Sequence, residues 1–455
     1  MEKFDVVIIG FGKGGKTLAA ELAALGKKVA MVEKSDRMYG GSCPNVGCVP
    51  TKFLVNKSEI AEIKGFASFE EKAAFYKEAV LAKKKLREMI LGKMAGAMNN
   101  NPNITLFTGT ASFVSPSELE VRGADFTARI SGEKVVIDTG STPFVPPISG
   151  ISESKYVRLS EGMLDLETLP KHLVIIGGGN IGLEFASFYR RFGSEVTVLQ
   201  DLKEFFPNED EDVASCVKEA VDAMGIKIEF GVQVDSVTDT DSGALVRYKT
   251  AGEERFVQGD CVLVSTGRRP ATSELNLSAA GVELNAKGGI AVNDTFRTSA
   301  PDIWAIGDVV GGAQFTYVSL DDGRIVKSDM LGGDKTAAGR NIPYSVFLSP
   351  SLSRVGLTEK AALAAGYKIK KAVILPTSIP RCHVLAKYTG MLKAVVDADT
   401  NMILGVSLFC EESHEMVNFV KMAMDLKLPY TYLRDMMFTH PIMSEALNDL
   451  FAAVK

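Results

Sequence analysis

The sequence contains no run of about 18 consecutive apolar residues, the length that a membrane-spanning helix requires. Cysteines are few, six in 455 residues, and their spacing matches neither a secreted disulfide framework nor a zinc site. The net charge of −5 lacks the positive excess of nucleic-acid-binding proteins. A strand-like segment follows Met1 almost directly, so we expect no signal peptide. These absences predict a cytoplasmic protein in a reducing compartment, with neither a membrane nor a nucleic acid as partner.

The length and composition indicate a globular protein with several domains. A chain of 455 residues is too long for one hydrophobic core and should divide into about two to four domains. Hydrophobic residues make up 46% of the chain and charged residues 24%, as in ordinary globular proteins. One local basic run, Lys83-Lys84-Lys85, is flanked by Leu81 and Leu86. We predict that it lies on the solvent-facing side of an amphipathic helix.

The N-terminal segment has the pattern of a dinucleotide-binding unit. Residues 4–9 are almost entirely apolar, as in a strand buried on both faces, and Gly10, Gly12 and Gly15 follow before a helical pattern. Such glycines let the backbone approach a pyrophosphate at the N-terminus of the helix. A second strand then ends at Glu33, where an acid would bind a ribose hydroxyl. The pattern predicts a bound nucleotide.

The same pattern returns in the middle of the chain. Residues 173–176 form a second apolar strand pattern, which leads into Gly177, Gly179 and Gly182 and then a helical pattern. The strand that follows ends at Gln200. Because one chain carries two complete units, we expect it to bind two nucleotides, which a single glycine motif would not establish.

The end of the second unit bears on the choice between NADH and NADPH. NADH-binding units usually carry an acid at this position, which binds the ribose 2′-hydroxyl. Gln200 stands there instead, so this argument for NADH is weaker here. No arginine occurs from 201 to 210 to bind a 2′-phosphate. Asp201 and Glu204 would repel such a phosphate, and only Lys203 would attract it. We therefore expect NADH, with NADPH as the less favoured substrate.

Other segments supply further turns and a region of different character. Helical spacing over residues 54–100 is followed by short alternating runs over 104–137, which predict strands. Residues 341–455 mix strand patterns with a methionine-rich helical stretch. Turns that follow strand patterns are candidates for cofactor contact, and these are Gly140, Gly267 and Gly307-Asp308.

Two cysteines, Cys43 and Cys48, lie about one helical turn apart if their segment is helical. That distance suits a disulfide, a thiolate above a flat cofactor, or two ordinary buried cysteines, and spacing alone does not decide. A helix N-terminus at this point, with Lys52 one turn further on, would lower the pKa of a thiol.

Near the C-terminus, His440 and Glu445 form a possible acid–base pair. His440 could be no more than a turn residue before a proline. Glu445, on the segment that follows, can instead reach a ring nitrogen and fix the tautomer of the imidazole. Together with a thiol pair, such a pair suits thiol chemistry.

With all these motifs in this order, the sequence resembles the class I pyridine nucleotide–disulfide oxidoreductases, the family of dihydrolipoyl dehydrogenase, glutathione reductase and mercuric reductase. The resemblance covers nearly the whole chain. It implies an α/β fold with two Rossmann-like dinucleotide-binding domains and a C-terminal α+β dimerisation domain. The implied boundaries are 1–146 and 271–340 for the FAD domain, 147–270 for the NAD(P) domain, and 341–455 for the dimerisation domain of a homodimer.

The resemblance also implies roles for single residues. Cys48 would be the thiolate that faces the flavin, and Cys43 the thiol that exchanges with the substrate. Lys52 and Glu184 would form an ion pair near flavin N5. His440 from the other subunit, oriented by Glu445, would protonate and deprotonate Cys43. Electrons would pass from NADH to FAD, then to the disulfide and on to an acceptor.

Within this family, further segments are similar to a bacterial branch that confers reactive chlorine resistance and reduces copper(II). The segments are Phe11-Gly12-Lys13, Met38-Tyr39-Gly40-Gly41, residues 314–322, residues 343–347, Ser413-His414-Glu415-Met416 and residues 444–450. This likeness implies a metal ion such as copper(II) as acceptor. Mercuric-ion handling is not expected, because the chain lacks the C-terminal cysteine pair of the mercury-specific members.

Alternatives remain for the metal and for the function. Cys382-His383 is an adjacent pair of soft ligands and a candidate metal site, although neighbouring residues often face apart. A dihydrolipoyl dehydrogenase or another disulfide reductase is the alternative enzyme. The alternative from another class is a redox-sensing flavoprotein whose disulfide state is detected by a partner. The His440–Glu445 pair favours the enzyme, because a sensor needs no acid or base for Cys43.

Overall fold

The computed structural model describes all residues, 1–455. Its strands form one mixed sheet that is mainly parallel, one parallel sheet, one antiparallel C-terminal sheet and two small antiparallel sheets. In chain order the strands are β1 Glu2–Ile9, β2 Val29–Glu33, β3 Ile104–Thr108, β4 Thr110–Phe113, β5 Glu118–Arg122, β6 Thr127–Ile137, β7 Ser141–Pro143, β8 Val157–Leu159, β9 His172–Ile176, β10 Glu195–Leu199, β11 Lys227–Glu229, β12 Gln233–Thr240, β13 Gly243–Thr250, β14 Glu253–Gly259, β15 Cys261–Val264, β16 Arg268–Pro270, β17 Ile303–Ala305, β18 Tyr344–Val346, β19 Ser351–Gly356, β20 Ile369–Ile374, β21 Met391–Asp397 and β22 Ile403–Cys410.

Helices cover the sheets and connect the strands. The α-helices are α1 Lys13–Ala24, α2 Ser42–Val46, α3 Cys48–Lys64, α4 Phe69–Asn99, α5 Ser160–Leu164, α6 Asn180–Phe192, α7 Glu211–Ala223, α8 Leu277–Ala280, α9 Thr316–Met330, α10 Glu359–Ala364, α11 Pro380–Leu385, α12 Ser413–Asp425, α13 Tyr430–Asp435 and α14 Ala446–Ala452. Short 3₁₀ segments lie at Asp36–Met38, Gly307–Val310, Pro376–Ser378 and Met443–Glu445. None of the helices combines the length and apolar character that crossing a bilayer requires.

The first sheet has the order β3-β2-β1-β6-β5-β4, with β17 added beside β6. β1, β2, β3, β6 and β17 are paired in parallel, and β1 is apolar because core side chains cover both of its faces. Carboxyl ends of parallel strands lie at one edge of a sheet. The turn at Gly10, the end of β2 at Glu33 and Asp308 after β17 therefore meet at that edge.

The second sheet has the order β11-β10-β9-β15-β8, and all of its pairs are parallel. α6 follows β9 through the turn at Gly177, as α1 follows β1 through the turn at Gly10. A separate antiparallel sheet, β12-β13-β14, continues this unit. The chain thus contains two strand–turn–helix–strand units of the same design.

The C-terminal sheet has the order β18-β19-β22-β21-β20 and is antiparallel throughout. α12 and α14 pack on it around a core that includes Leu392, Val406 and Leu447. Together with the parallel strands of the first two sheets, this region confirms the predicted fold class. The domain boundaries given above stay a prediction.

A buried cluster of charges joins the second unit to the C-terminal region. Lys393 on β21 is 3% exposed, and its Nζ lies 3.2 Å from Asp210, 2.9 Å from Asp212 and 2.8 Å from Glu359. Asp210 and Asp212 lie at the start of α7, whereas Glu359 begins α10. Burial of a charge is tolerated when opposite charges surround it, so these four side chains hold the two regions in one arrangement.

One prediction about the surface is wrong. Lys83, in the basic run that was expected to face solvent, is buried on α4 and forms an ion pair with Asp165 at 2.5 Å. Its Nζ also donates to the carbonyl oxygen of Leu164. The distant segment before β9 packs over this face of the helix, which the local spacing of charged and apolar residues does not reveal.

Candidate active site

The two cysteines lie on consecutive helices. Cys43 is in α2, Gly47 separates the helices, and Cys48 is the first residue of α3. Gly40 and Gly41 form the turn before α2 with φ of 98° and 81°, a region that favours glycine. Since a helix N-terminus carries partial positive charge, the start of α3 favours a thiolate in the pair.

The two thiols titrate together, with Thr316 beside them. A hydrogen bond with Cys48 lowers the pKa of Cys43 to about 6, and the same contact raises the pKa of Cys48. Thr316, the first residue of α9, places Oγ1 3.3 Å from Cys48 Sγ. The first negative charge of the reduced pair therefore falls on Cys43. The role of Cys48 as the flavin-facing thiolate concerns a contact with the flavin and stays a prediction.

The structure brings Lys52 and Glu184 together. Lys52 Nζ on α3 lies 2.6 Å from Oε2 of Glu184 on α6, and Glu184 is 7% exposed. The other carboxylate oxygen accepts the backbone N–H of Phe347 at 2.9 Å, and Lys52 Nζ lies 4.5 Å from the centroid of the Phe347 ring. Sequence reasoning included Phe347 only in the segment 343–347 and gave it no role, because it reaches the pair from the C-terminal region through tertiary contact.

One cavity of about 740 Å³ connects these groups. It extends from the first glycine turn past the cysteines to the start of α6. Of the residues predicted for the site, it is lined by Gly10, Gly12, Glu33, Cys43, Cys48, Lys52, Gly140, Glu184 and Asp308.

The part of the cavity near the first sheet fits FAD. α1 begins there, and side chains of Ser319 and Asp138 accept the N–H groups of Gly14 and Gly15, so those of Gly12 and Lys13 remain available to a phosphate. A Cβ at Gly41 would come within 3.0 Å of the Gly12 Cα, so a side chain would narrow this cradle. Glu33 and Asp308 contribute carboxylates from two strand ends, and Asp308 Oδ2 accepts the Ser141 hydroxyl at 2.7 Å. These are the groups that ribose and ribityl hydroxyls require.

Asp138 is a functional residue that sequence reasoning missed. It follows β6, is 5% exposed, and accepts the backbone N–H of Gly15 at 2.7 Å. Its Oδ1 lies 3.5 Å from the Ser319 hydroxyl. Burial raises the pKa of Asp138 to about 8, and the negative charge of Asp308 adds to this shift. At neutral pH it is therefore mostly an uncharged acid inside the first glycine motif.

The second glycine motif forms a comparable cradle. Gly177 has a φ of 103°, and the N–H of Gly178 donates to Gln200 Oε1 at 2.7 Å. A Cβ at Gly182 would lie 2.1 Å from the Gly177 carbonyl oxygen, so helix and strand approach closely here. At Gly179 no atom lies within 4 Å of a Cβ, so the start of α6 is open to a ligand. The cradle fits a nicotinamide nucleotide.

The remaining predicted turns adopt conformations that suit glycine. Gly140, Gly267 and Gly307 have φ of 72°, 116° and 71°. Gly140 and Gly307 follow strands of the first sheet, and Gly267 follows β15 of the second. Gly307 also donates its N–H to Asp322 Oδ2 at 2.9 Å.

His440 and Glu445 contact each other but not the cysteines of their own chain. His440 Nδ1 lies 2.8 Å from Glu445 Oε2, so the carboxylate orients the ring. The His440 side chain is 63% exposed, and neither residue lines the cavity. The pair is thus presented at the surface of the C-terminal region.

Cys382 and His383 face different surroundings. Cys382 is 1% exposed, with its Sγ 3.7 Å from Met443 Sδ. His383 is exposed, and its Nε2 lies 2.9 Å from the carbonyl oxygen of Thr377. No group of three or more histidine, cysteine or acidic side chains is arranged to hold a metal ion. The structure therefore does not bring the two together as a metal site.

Comparisons with known proteins agree with this geometry. The model of the family described as pyridine nucleotide-disulphide oxidoreductase matches residues 4–323, and the model of its dimerisation domain matches residues 342–451. The chain is 43% identical over 457 residues to the probable pyridine nucleotide-disulfide oxidoreductase RclA of Escherichia coli, with 100% of both chains covered. It is 32% identical to a mercuric reductase of Lysinibacillus sphaericus, covering 98% of this chain and 82% of that protein. A solved copper(II) complex of the E. coli HOCl-induced flavoprotein disulfide reductase RclA superimposes with a TM-score of 0.93 at 42% identity, and 100% of both chains is covered.

Proposed function

The chain belongs to the pyridine nucleotide-disulphide oxidoreductase family, and we propose that it passes electrons from NADH through FAD and the Cys43–Cys48 pair to copper(II). The family is dependent on FAD and NAD(P), and its dimerisation domain supports a homodimer. One observation carries the proposal: a single cavity reaches from the first glycine cradle past both thiols to the start of the second nucleotide-binding helix.

The proposed turnover balances as two half-reactions. Bound FAD supplies the two-electron relay between the nicotinamide and the disulfide. In the first half, NADH and one proton are consumed, the S–S bond of Cys43 and Cys48 breaks, and two thiols form. In the second half, two copper(II) ions take one electron each to become copper(I), the S–S bond re-forms, and two protons leave.

The chain's own residues prepare this chemistry. The pKa of about 6 makes Cys43 a thiolate at neutral pH, which is the form that reacts with an oxidant. Thr316 and the start of α3 stabilise negative charge at the pair. Lys52, fixed by Glu184, places a positive charge in the same cavity, where it favours the reduced form of the cofactor.

The acid–base step requires a second subunit. His440 is exposed and does not line the cavity of its own chain. We assign the exchange of protons with Cys43 to the partner subunit's His440, whose tautomer Glu445 would fix. A monomer would then be inactive.

Two lines of argument support the acceptor and the nucleotide. The similar E. coli protein has been solved as a copper(II) complex and is described as HOCl-induced, so a role in reactive chlorine resistance is proposed here. Asp201 and Glu204, both exposed after β10, would repel the 2′-phosphate of NADPH, which favours NADH. The free cysteines fit a reducing compartment, and we propose the cytoplasm.

Steady-state kinetics of the FAD-loaded protein test the proposal. NADH and NADPH oxidation would be measured with copper(II), lipoamide and glutathione disulfide as acceptors, for the native chain and for Cys43→Ser. We expect turnover with copper(II), a preference for NADH, and loss of turnover in Cys43→Ser. Fast turnover with lipoamide would instead identify a dihydrolipoyl dehydrogenase. Full copper(II) turnover by Cys43→Ser would rule out the dithiol route.

A further inference from the structure

Lys16 on α1 is a buried lysine without a carboxylate beside it. The residue is 8% exposed, and its Nζ donates to the Gly40 carbonyl oxygen at 2.7 Å and lies 3.5 Å from Met94 Sδ. The other buried lysines, Lys83 and Lys393, form ion pairs with carboxylates. Since an unpaired buried charge is costly, the Lys16 ammonium requires a different source of negative charge.

Cys43 can supply this negative charge. The Lys16 side chain is held by Gly40, in the turn that leads directly into the helix of Cys43. Burial lowers the pKa of Lys16 to about 8, and a Cys43 thiolate opposes that shift. In return, the Lys16 charge contributes to the low pKa of Cys43. Each charge therefore favours the other.

The other charged groups around Lys16 do not replace Cys43. Lys13, on the same helix, repels the Lys16 ammonium. Asp138 is the only other anion that acts on it, and because its pKa is raised to about 8 it is mostly uncharged at neutral pH. On the side of the cysteines, Lys52 acts on Cys48. Among the side chains of the protein, Cys43 is thus the main anion that acts on Lys16 at neutral pH.

We propose that Lys16 is a positioning residue of the redox pair: its buried ammonium is the counter-charge of the Cys43 thiolate, and its hydrogen bond to Gly40 holds the turn from which the helix of Cys43 begins. This inference rests on the proposed function in taking Cys43 as the reactive thiol. Lys16 lies on α1, whose N-terminus forms part of the flavin cradle. In this proposal the same helix therefore serves the flavin and sets the charge beside Cys43.

The test is the pH dependence of Cys43 alkylation by iodoacetamide in the FAD-loaded, dithiothreitol-reduced protein, followed by mass spectrometry of the Cys43 peptide. Lys16→Met keeps the length of the side chain but removes its charge. We expect the midpoint of the profile to rise, with alkylation near pH 6 slower by about threefold and the rate at high pH unchanged. Lys16→Arg keeps the charge and should keep the midpoint near that of the native chain. Lys27→Met, which removes an exposed lysine just beyond the same helix, is the matched control.

Two results would overturn the proposal. An unchanged midpoint in Lys16→Met with a full complement of FAD would exclude an electrostatic role. A rate that falls equally at every pH in both Lys16→Met and Lys16→Arg would leave only a structural role for the side chain. Because alkylation requires neither NADH nor an electron acceptor, either result is independent of whether copper(II) is the acceptor.

Discussion

Asp138 shows how a single buried acid makes the first nucleotide site sensitive to pH. Its native pKa of about 8 lies far above that of an aspartate in an unfolded chain, near 4. Between these two values the native state holds a proton that the unfolded chain has released. Stability falls with pH wherever the native state binds more protons. This group therefore makes the free energy of unfolding decrease as the pH rises through that window.

The variant Asp138→Asn should make this decrease shallower. An asparagine keeps an oxygen that can accept the Gly15 N–H but carries no charge at any pH. Urea unfolding of the native chain and the variant at several values between about pH 5 and pH 8 checks the slope. Asp125→Asn, at an exposed site, is the control and should leave the slope as in the native chain. An equally steep slope in Asp138→Asn would contradict the assignment.

At this scale, sequence reasoning found the residues that belong to motifs and missed those that meet only in space. The glycines and the spaced cysteines stand in short local patterns, so they could be identified directly. Thr316, Phe347 and Asp138 join the site from segments far apart in the chain. Asp138 follows a strand pattern, as Asp308 does, so that signal could have found it. Thr316 and Phe347 have roles that arise from tertiary contact.

Between elements, Glu184 connects three parts of the chain at once. It lies on α6, forms an ion pair with Lys52 on α3, and accepts the N–H of Phe347 just before β19. Because Glu184 is nearly buried, its loss would leave a donor on each side without a partner.

We therefore expect Glu184→Ala to lower the free energy of unfolding by about 1–3 kcal/mol and to slow reduction of the protein by NADH. Chemical unfolding and stopped-flow absorbance at the flavin band measure the two effects. Lys84→Met, which breaks a half-exposed ion pair with Glu167, is the control and should lower the free energy of unfolding far less, because water screens exposed charges. Equal losses in both variants would show that burial and the Phe347 contact add nothing.

The turn before α2 brings the cysteine segment against the first glycine cradle. Gly41→Ala would place a methyl group 3.0 Å from the Gly12 Cα at a positive φ, so we expect the two loops to separate and FAD to be retained poorly. Gly65→Ala also has a positive φ but no atom within 4 Å, so it should cost about 1 kcal/mol of stability and keep FAD. The ratio of flavin to protein absorbance after gel filtration distinguishes them. Similar FAD loss in both would point to backbone strain alone.

The elements that the sequence predicted best are the strand–turn–helix–strand units. Buried parallel strands are continuously apolar and their turns require glycine, so both features are visible in the chain itself. Lys83 illustrates the limit of such reasoning. A lysine run on a helix usually faces solvent, and only the distant Asp165 and Leu164 make burial of Lys83 possible.

For the whole molecule, the exposed position of His440, outside the cavity that Cys43 lines, predicts that two subunits share each site. Chains carrying Cys43→Ser should be inactive in pure form, as should chains carrying His440→Gln. In a mixed dimer one site has both native residues, so random assembly of the two kinds of chain should restore about a quarter of native turnover. Coexpression with two different affinity tags provides the measurement. No recovery in isolated mixed dimers would show that His440 acts outside the site of the other subunit.

The charged cluster around Lys393 sets a requirement on any chimera built from this protein. Asp210 and Asp212 come from the second nucleotide unit, while Lys393 and Glu359 come from the C-terminal region. A chimera whose C-terminal region carried no cation at the position of Lys393 would leave the buried Asp210 without its counter-charge, a defect of about 3–5 kcal/mol. Although the units look modular along the sequence, an exchange between them has to preserve this pairing of charges across their contact.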